Sequence, residues 1–364
     1  MRIAFTCNKL NNGGAERVIC NIANRMVQDG HEVKIICLCK TDSFYYYLDD
    51  AIAVVELDKS ANNLDKSFLS RKIDGLKNLN RLKNAITGSD IVISFYTRQN
   101  CYSIFVCKLL NIPIICAERD HFFLQDGRIN QILRNVFYPL ADGFIHQTSM
   151  MRTELRNKSG VRCKDVVIPN PLWMTDFPPR NPIEGYVAAV GRLEDQKNYI
   201  EMIRAFAMAH EKAERLSLHI FGAGPMRKDI ENFVESIGLQ KVIILEGITK
   251  DIRTVFEKSD IYVLFSKGEG YPNALMEALA CGVPSISSAC PVGGPEDMIN
   301  DGVNGILVPT NDVTALSDAI IKLVNDDQMK KKFSEESTVI RTTNEFTRIY
   351  RQWMNYIEEV IYGY

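Results

Sequence analysis

Two carboxylates eight positions apart, Glu269 and Glu277, bracket the stretch EGYPNALME, and a proline stands between them. An apolar run closed by Gly282 and Pro284 follows. The pattern predicts a strand at DIYVLFS, a loop at SKGEGY and a helix at PNALMEALA. Pro272 suits a first helical position, because it has no N–H to leave unpaired. The backbone N–H groups of Asn273, Ala274 and Leu275 would then point out of the helix end, an anion site suited to phosphate. Glu269 would lie in the loop ahead of that site, with Gly270 and Tyr271 next to it, and Glu277 about a turn and a half into the helix. A carboxylate accepts hydrogen bonds from two neighbouring hydroxyls at once, which suits a ribose diol and a hexose diol alike. A nucleotide sugar fits this layout, with its diphosphate on the helix end, its sugar toward Glu269 and its ribose toward Glu277. The alternative is that both glutamates only favour the helix dipole.

A second stretch, GRLEDQKN at 191–198, follows the strand pattern YVAAV at its carboxyl end. Arg192 and Lys197 place two cations where a strand meets a helix start; they could neutralise a diphosphate without a metal. No Asp-x-Asp occurs in the chain, so a metal held by such a pair has no obvious ligands. Surface solvation is the ordinary fate of an Arg or Lys and stands as the alternative. A third stretch, NKLNNGGAERV, joins the first strand to the first helix, where Gly13 and Gly14 let a ligand approach the backbone at a helix N-terminus. It is not G-x-G-x-x-G, so a dinucleotide cofactor is disfavoured and no cofactor is expected. Two glycines also make an ordinary turn.

These stretches need a scaffold, and the chain supplies one by alternation. RIAFTCN, HEVKIICLC, DIVISFY, IPIICAE, DGFIHQ and KDVVIP read as strands, mostly separated by helix-like segments. YVAAVGRL, LSLHIFGAG, KVIILEG, DIYVLFS, VPSISS and NGILVP repeat the pattern in the second half. Runs apolar on both faces imply parallel sheets covered by helices. Between the halves, PLWMTDFPPRNPIEG holds four prolines and marks the linker. The expected class is α/β, two Rossmann-like doubly wound domains facing a cleft, with a helical C-terminal tail. The expected division is 1–172, a linker at 173–184, and 185–343, with the C-terminal helix 344–364 completing the first domain. In such sheets ligands bind beyond the carboxyl ends of the strands.

Composition narrows the function classes. The chain has 364 residues, 46% hydrophobic and 24% charged, and no run approaches the roughly 18 apolar residues of a membrane helix. Its N-terminus does not read as a signal peptide, so a cytoplasmic place, against the inner face of the membrane or free, is expected. Ten cysteines without a C-x-x-C pair read as small hydrophobes in a reducing compartment. Residues 1–172 hold 23 Lys/Arg against 17 Asp/Glu and the remainder 20 against 28, so the first half is expected to face something anionic. The basic stripe and motifs of a nucleic-acid binder are missing from the sequence, so no nucleic-acid partner is expected. Within RKIDGLKNLNRLKNAI, Ile73, Leu76, Leu79, Leu82 and Ile86 recur at helical spacing, with Arg71, Lys72, Lys77, Arg81 and Lys83 around them. This helix is either an ordinary core-packed element with a solvated face or a contact with an anionic membrane surface.

Taken together, GGAER, GRLEDQKN and EGYPNALME, in this order along nearly the whole chain, resemble the retaining glycosyltransferases of the GT-B fold, family 4. That family's Glu-x7-Glu motif is matched by Glu269 and Glu277, its Gly-Arg/Lys element by Gly191, Arg192 and Lys197, and its glycine loop by Gly13 and Gly14. The resemblance implies transfer of a sugar from a nucleoside diphosphate sugar, a UDP-sugar by expectation, to a lipid-linked or polysaccharide acceptor, with anomeric configuration retained. The donor would bind the second domain and the acceptor the first. Arg192 and Lys197 would stabilise the departing diphosphate, Glu269 would contact sugar hydroxyls and Glu277 the ribose. Many members carry a histidine after the strand matched by IPIICAE; here the chain reads Glu118-Arg119-Asp120-His121, with Arg119 at that position and His121 a loop residue. The candidate catalytic set is thus Arg192, Lys197, Glu269, Gly14 and Arg119. The candidate substrate contacts are Gly13, Glu118, Gly191, Gly270, Tyr271, Asn273, Ala274, Leu275 and Glu277. A nucleotide-sugar epimerase of similar architecture and a non-catalytic sugar-nucleotide binder are the competing classes. The first needs acid–base groups around the sugar ring, and the second usually loses some of the four motif residues.

Overall fold

The computed structural model describes residues 1–11, 13–41, 45–58, 68–119 and 127–363, without the side chains of 58 and 68–76. His121 and the side chains of Arg71, Lys72, Ile73 and Leu76 therefore lie outside the described residues. Contacts divide the chain into two units, Met1–Asn170 with Ile349–Tyr364, and Pro171–Arg348.

The first unit alternates β1 (Arg2–Cys7), α1 (Gly14–Gln28), β2 (Glu32–Cys39), β3 (Ala53–Asp58), α2 (Phe68–Ile86), β4 (Ile91–Phe95), α3 (Thr97–Leu110), β5 (Ile114–Ala117), α4 (Arg128–Phe137), β6 (Gly143–His146), α5 (Ser149–Ser159) and β7 (Lys164–Val167). Among the described residues the strands form one parallel sheet in the order β3-β2-β1-β4-β5-β6-β7. Every residue of β4, β5 and β6 is buried, polar Ser94 and His146 included, as befits inner strands of a sheet covered on both faces. The sequence reading did not include β3. It lies at the sheet edge and is mostly half-buried, so AVVELD lacks the continuous apolar signature of an inner strand.

In the second unit come β8 (Tyr186–Val190), α6 (Tyr199–Lys212), β9 (Ser217–Phe221), α7 (Arg227–Ser236), β10 (Ile243–Gly247), α8 (Ile252–Lys258), β11 (Ile261–Leu264), α9 (Asn273–Ala280), β12 (Ser285–Ala289), β13 (Ile306–Pro309) and α10 (Val313–Val324). The sheet is again parallel, in the order β10-β9-β8-β11-β12-β13. Alternate strand residues feed two apolar cores, one per face. Val187, Ala189, Ile261 and Val263 enter one, and Tyr186, Ala188, Tyr262 and Leu264 the other. The proline-rich stretch is tied to this unit. The Asn181 and Ile183 N–H groups donate to the Glu257 and Lys258 carbonyls at 3.0 and 2.9 Å, and Arg180 donates to the Ser259 carbonyl at 2.7 Å.

Helices α11 (Asp327–Glu336), α12 (Ile340–Thr343) and α13 (Phe346–Tyr362) end the chain, and from Ile349 it belongs to the first unit. There Trp353 is fully buried, its ring 6.2 Å from that of Phe95. The Tyr356 hydroxyl accepts from the Phe144 N–H at 2.8 Å and donates to the Lys164 carbonyl at 2.6 Å.

Candidate active site

In both sheets the strand order reverses beside the first strand of the unit, between β1 and β4 and between β8 and β11. Doubly wound sheets open a crevice there, because consecutive connections run to opposite faces. In the second unit the loops beyond that point are 191–198, after β8, and 265–272, after β11. They are stitched together: the Lys267 N–H donates to the Gln196 carbonyl at 2.8 Å and the Gln196 amide to the Gly268 carbonyl at 2.6 Å. An ion pair of 2.6 Å joins Lys267 to Asp195.

Lys197 and Glu269 meet in this frame. The Lys197 ammonium donates to Glu269 Oε1 at 2.5 Å, and the Ser266 hydroxyl donates to the same oxygen at 2.6 Å. Their side chains are 16% and 9% exposed, so a charged pair sits in a site nearly closed to water. Such a pair persists because each charge answers the other's desolvation. Gly191 lies beside the Lys197 stem and the Tyr199 hydroxyl. Burial and the Glu269 carboxylate push that hydroxyl well above its ordinary value. Arg192 behaves differently: its side chain is 53% exposed and its guanidinium donates to Glu194 at 3.1 Å.

Past Glu269 the chain turns into α9. The structure places Pro272 one residue earlier than expected, at the N-cap, with Asn273 first in the helix. The reason is its backbone, at φ −72° and ψ 108°, which is extended and not helical. The Met276 N–H donates to the Pro272 carbonyl at 3.1 Å, so the N–H groups of Asn273, Ala274 and Leu275 precede the intrahelical ladder. Glu277 is buried within α9, and buried Tyr271 accepts from the Asn344 amide at 2.8 Å. A further loop backs this turn. A Cβ on Gly294 would lie 2.4 Å from the Gly270 carbonyl oxygen, so only glycine permits the approach. That loop carries Glu296, whose carboxyl is pushed up by burial and whose Oε2 has no hydrogen-bond partner among the described residues. Sequence reasoning gave Glu296 no role. The available signal was an acid directly after GGP in the GGPEDM stretch.

The first-unit candidates fall in two places. Gly13 caps α1, and a Cβ there would lie 2.0 Å from Glu16 Oε2, so the glycine makes room for a carboxylate at the helix start. Gly14 is the exposed first residue of α1. Glu118 and Arg119, adjacent beyond β5, reach different partners. Buried Glu118 accepts from the Thr97 hydroxyl at 2.8 Å and from the Tyr138 hydroxyl, and Arg134 donates to the same Thr97 hydroxyl at 3.2 Å. Arg119 is 6% exposed, with its guanidinium carbon 5.0 Å from the Phe95 ring centre and 5.4 Å from that of Trp353. It donates to Asn170 at 2.9 Å, and burial pulls its pKa down to about 10. Among the described residues its Nε and Nη2 have no hydrogen-bond partner.

Residues 12–172 match the family described as Glycosyltransferase Family 4, and 177–339 match Glycosyl transferases group 1. A Campylobacter jejuni protein is 30% identical over 373 residues, covering 99% of each chain. Its name is GalNAc-alpha-(1->4)-GalNAc-alpha-(1->3)-diNAcBac-PP-undecaprenol alpha-1,4-N-acetyl-D-galactosaminyltransferase. This chain belongs to the GT-B glycosyltransferases. Among solved structures, sucrose-phosphate synthase from Thermosynechococcus elongatus superposes with a TM-score of 0.84 at 17% identity, covering 100% of both chains. The Anabaena protein HepE, in complex with UDP and glucose, gives 0.82 at 16% identity, covering 98% of this chain and 99% of its own. At those identities the likeness concerns the fold, and the expected α/β architecture with two parallel sheets and a helical C-terminal segment is present. Among the described residues no helix is long and apolar enough to cross a membrane.

Proposed function

We propose that this glycosyltransferase moves a hexosyl or N-acetylhexosaminyl group from a UDP-sugar to a lipid-linked or polysaccharide acceptor, with retention at the anomeric carbon. The observation that carries the reading is the largely enclosed Lys197–Glu269 pair, 2.5 Å apart, in the loops after β8 and β11 that lead to α6 and α9. The helix end and Lys197 receive the diphosphate, and Arg192 leaves Glu194 to join them. Glu269, released from Lys197 as the phosphate takes that cation, accepts from sugar hydroxyls, and Glu277 accepts from the ribose. The first unit binds the acceptor, through Gly14 and Arg119 with Gly13 and Glu118 in support.

In the transfer step the bond between the anomeric carbon and the phosphate oxygen breaks, and the acceptor oxygen bonds to that carbon on the same face. The acceptor proton passes to the departing phosphate. The protein's contribution is electrostatic: Lys197 and Arg192 stabilise charge that develops on the leaving diphosphate. A lipid-linked acceptor is favoured because the Campylobacter relative, alignable over nearly its whole length, is named for an undecaprenyl diphosphate substrate.

The test is incubation with a panel of UDP-sugars and candidate acceptors, read as UDP release and as the configuration of the new bond. One UDP-sugar should support acceptor-dependent release, retained with EDTA present because cations of the chain neutralise the diphosphate. An inverted product, or strict dependence on Mn²⁺ or Mg²⁺, counts against this site. Release of no UDP from any donor, with epimerised sugar recovered, favours the epimerase reading.

A further inference from the structure

Helix α4 leaves much of its apolar stripe facing outward. Its apolar residues Ile129, Ile132, Leu133, Val136 and Phe137 recur at i, i+3, i+4, i+7 and i+8 and form one stripe. Such a stripe ordinarily faces the core. Here Leu133 and Phe137 are half-buried against the unit, but Ile129 is 72% exposed, Ile132 61% and Val136 55%, while Arg134, from the polar side, is 1% exposed and directed at Thr97. Helix α3, packed beside α4, repeats the feature with Tyr102, Phe105 and Leu109 at i, i+3 and i+7, each more than 40% exposed. Tyr102 continues the face toward α2, where it lines an open slot of about 100 Å³ with Leu38, Leu79 and Leu82. An exposed apolar surface spread over neighbouring helices marks an interaction site.

Charge says what covers it. Neither α3 nor α4 contains an Asp or Glu. Arg98 and Arg128 are exposed at their N-terminal ends, with Arg98 donating to Asn130 across the two helices at 3.3 Å. Lys77, Arg81 and Lys83 are exposed on α2, next to α3. Lys108 is paired with Asp142 at 2.6 Å. A second copy in a two-fold interface would set this cationic rim against itself. A bilayer with anionic headgroups satisfies both features, taking aliphatic and aromatic side chains below the headgroups and cations among them.

We propose that the α3–α4 face is a membrane-docking surface that inserts Phe105, Ile129, Ile132 and Val136 into the headgroup–acyl boundary of an anionic leaflet. The slot at Tyr102 lies at its margin and the α2 cations add attraction. The proposal goes beyond the transfer reaction and does not depend on the donor assignment. A failure here would leave UDP binding by the second unit untouched, and a failure of the donor site would leave docking intact.

The experiment is co-sedimentation of the full chain with phosphatidylcholine vesicles, with and without phosphatidylglycerol, at low and high salt. Wild type should sediment with the anionic vesicles and keep part of that binding at high salt. Phe105→Glu with Ile132→Glu should lower the partition at least about tenfold, or about 1.4 kcal/mol. Arg98→Glu with Arg128→Glu should reduce binding chiefly at low salt. Ile248→Glu, at a residue 64% exposed in the second unit, should change nothing. Ile132→Trp gives a second reading that does not rely on an added charge: its fluorescence should be quenched by brominated acyl chains more than that of wild type. The proposal is overturned if wild type stays in the supernatant, or if the Phe105 and Ile132 variant sediments as wild type does. Dissociation of a wild-type dimer by that variant, with no vesicle binding, would also overturn it and assign the face to a second copy.

Discussion

Lys197→Met tests the heart of the site, because it removes the ammonium and keeps a stem of similar length. Glu269 would then remain buried with the Ser266 hydroxyl, at 2.6 Å, as its remaining hydrogen-bond donor of this pair. Breaking a fully buried ion pair costs about 3–5 kcal/mol. Here Lys197 keeps 16% exposure and Ser266 stays in place, so the loss should fall to about 2–3 kcal/mol, that of one hydrogen bond to a charged group. For a unit of this size that lowers Tm by about 5–10 °C. Turnover should fall by at least about a hundredfold, since the same cation is assigned to the leaving diphosphate. The decisive assay is a double-mutant cycle with Glu269→Gln, read by thermal melting and by UDP release. Stability should couple by about 1 kcal/mol or more, because the second substitution removes the orphaned charge. Stability losses that add to within about 0.5 kcal/mol would refute the buried pair. Near-wild-type turnover in Lys197→Met would refute its phosphate role even if the coupling were found.

Two further outcomes follow from other residues. Glu277→Ala should weaken UDP binding itself, whereas Glu269→Ala should spare UDP affinity and depress transfer; equal loss of UDP affinity in calorimetry would sink the division of labour. Buried Asp165 sits against His146, Arg152 and Arg156, and although burial alone would push its carboxyl up, their hydrogen bonds hold it well below the usual range. A lowered folded-state pKa gives stability that is full above the unfolded value, about 3.9, and is lost as pH falls through that region toward the folded one. Asp165→Asn should therefore melt lower than wild type at pH 7 and show a smaller further drop between pH 5 and 3; an unchanged pH profile would argue against it.

The second unit was the more legible one, for a reason visible in its residues. Strands such as YVAAV and IYVL are short apolar runs between turn signals, and the anion-site signals Pro272 and Asn273 lie next to each other in sequence. What sequence spacing could not supply is a partner. Lys197 and Glu269 are 72 residues apart, and nothing in either motif says that the cation assigned to phosphate and the carboxylate assigned to sugar are bonded to each other. Nor does GRLEDQKN distinguish exposed Arg192, held by Glu194 two residues on, from half-enclosed Lys197. Those differences arise when the loops after β8 and β11 are brought together by the sheet order, which is a property of the fold and not of the local pattern.

Helix α4, which the sequence reading did not single out, carries the same lesson further, because its spacing shows a stripe but not its orientation. An amphipathic pattern fixes which residues share a face but not which face looks inward. That choice is decided by Arg134. Its guanidinium reaches Thr97, which also donates to Glu118, and Glu118 is held in turn by Tyr138, so the polar side of the helix is drawn into the unit. Turning α4 over would bury Ile129, Ile132 and Val136, worth about 1.5–3 kcal/mol each if fully buried. It would also pull Arg134 off the Thr97 hydroxyl and Tyr138 off buried Glu118, losing hydrogen bonds to two charged groups at about 1.5–3 kcal/mol each, and would expose the half-buried Leu133 and Phe137. The outward apolar face is thus the counterpart of an inward polar network, and the two should respond together. Arg134→Met, which removes the inward anchor, should destabilise the first unit and lower vesicle binding in parallel. Ile132→Glu should lower vesicle binding with Tm nearly unchanged. Loss of docking in Arg134→Met without any loss of stability would break the link between the buried network and the exposed face.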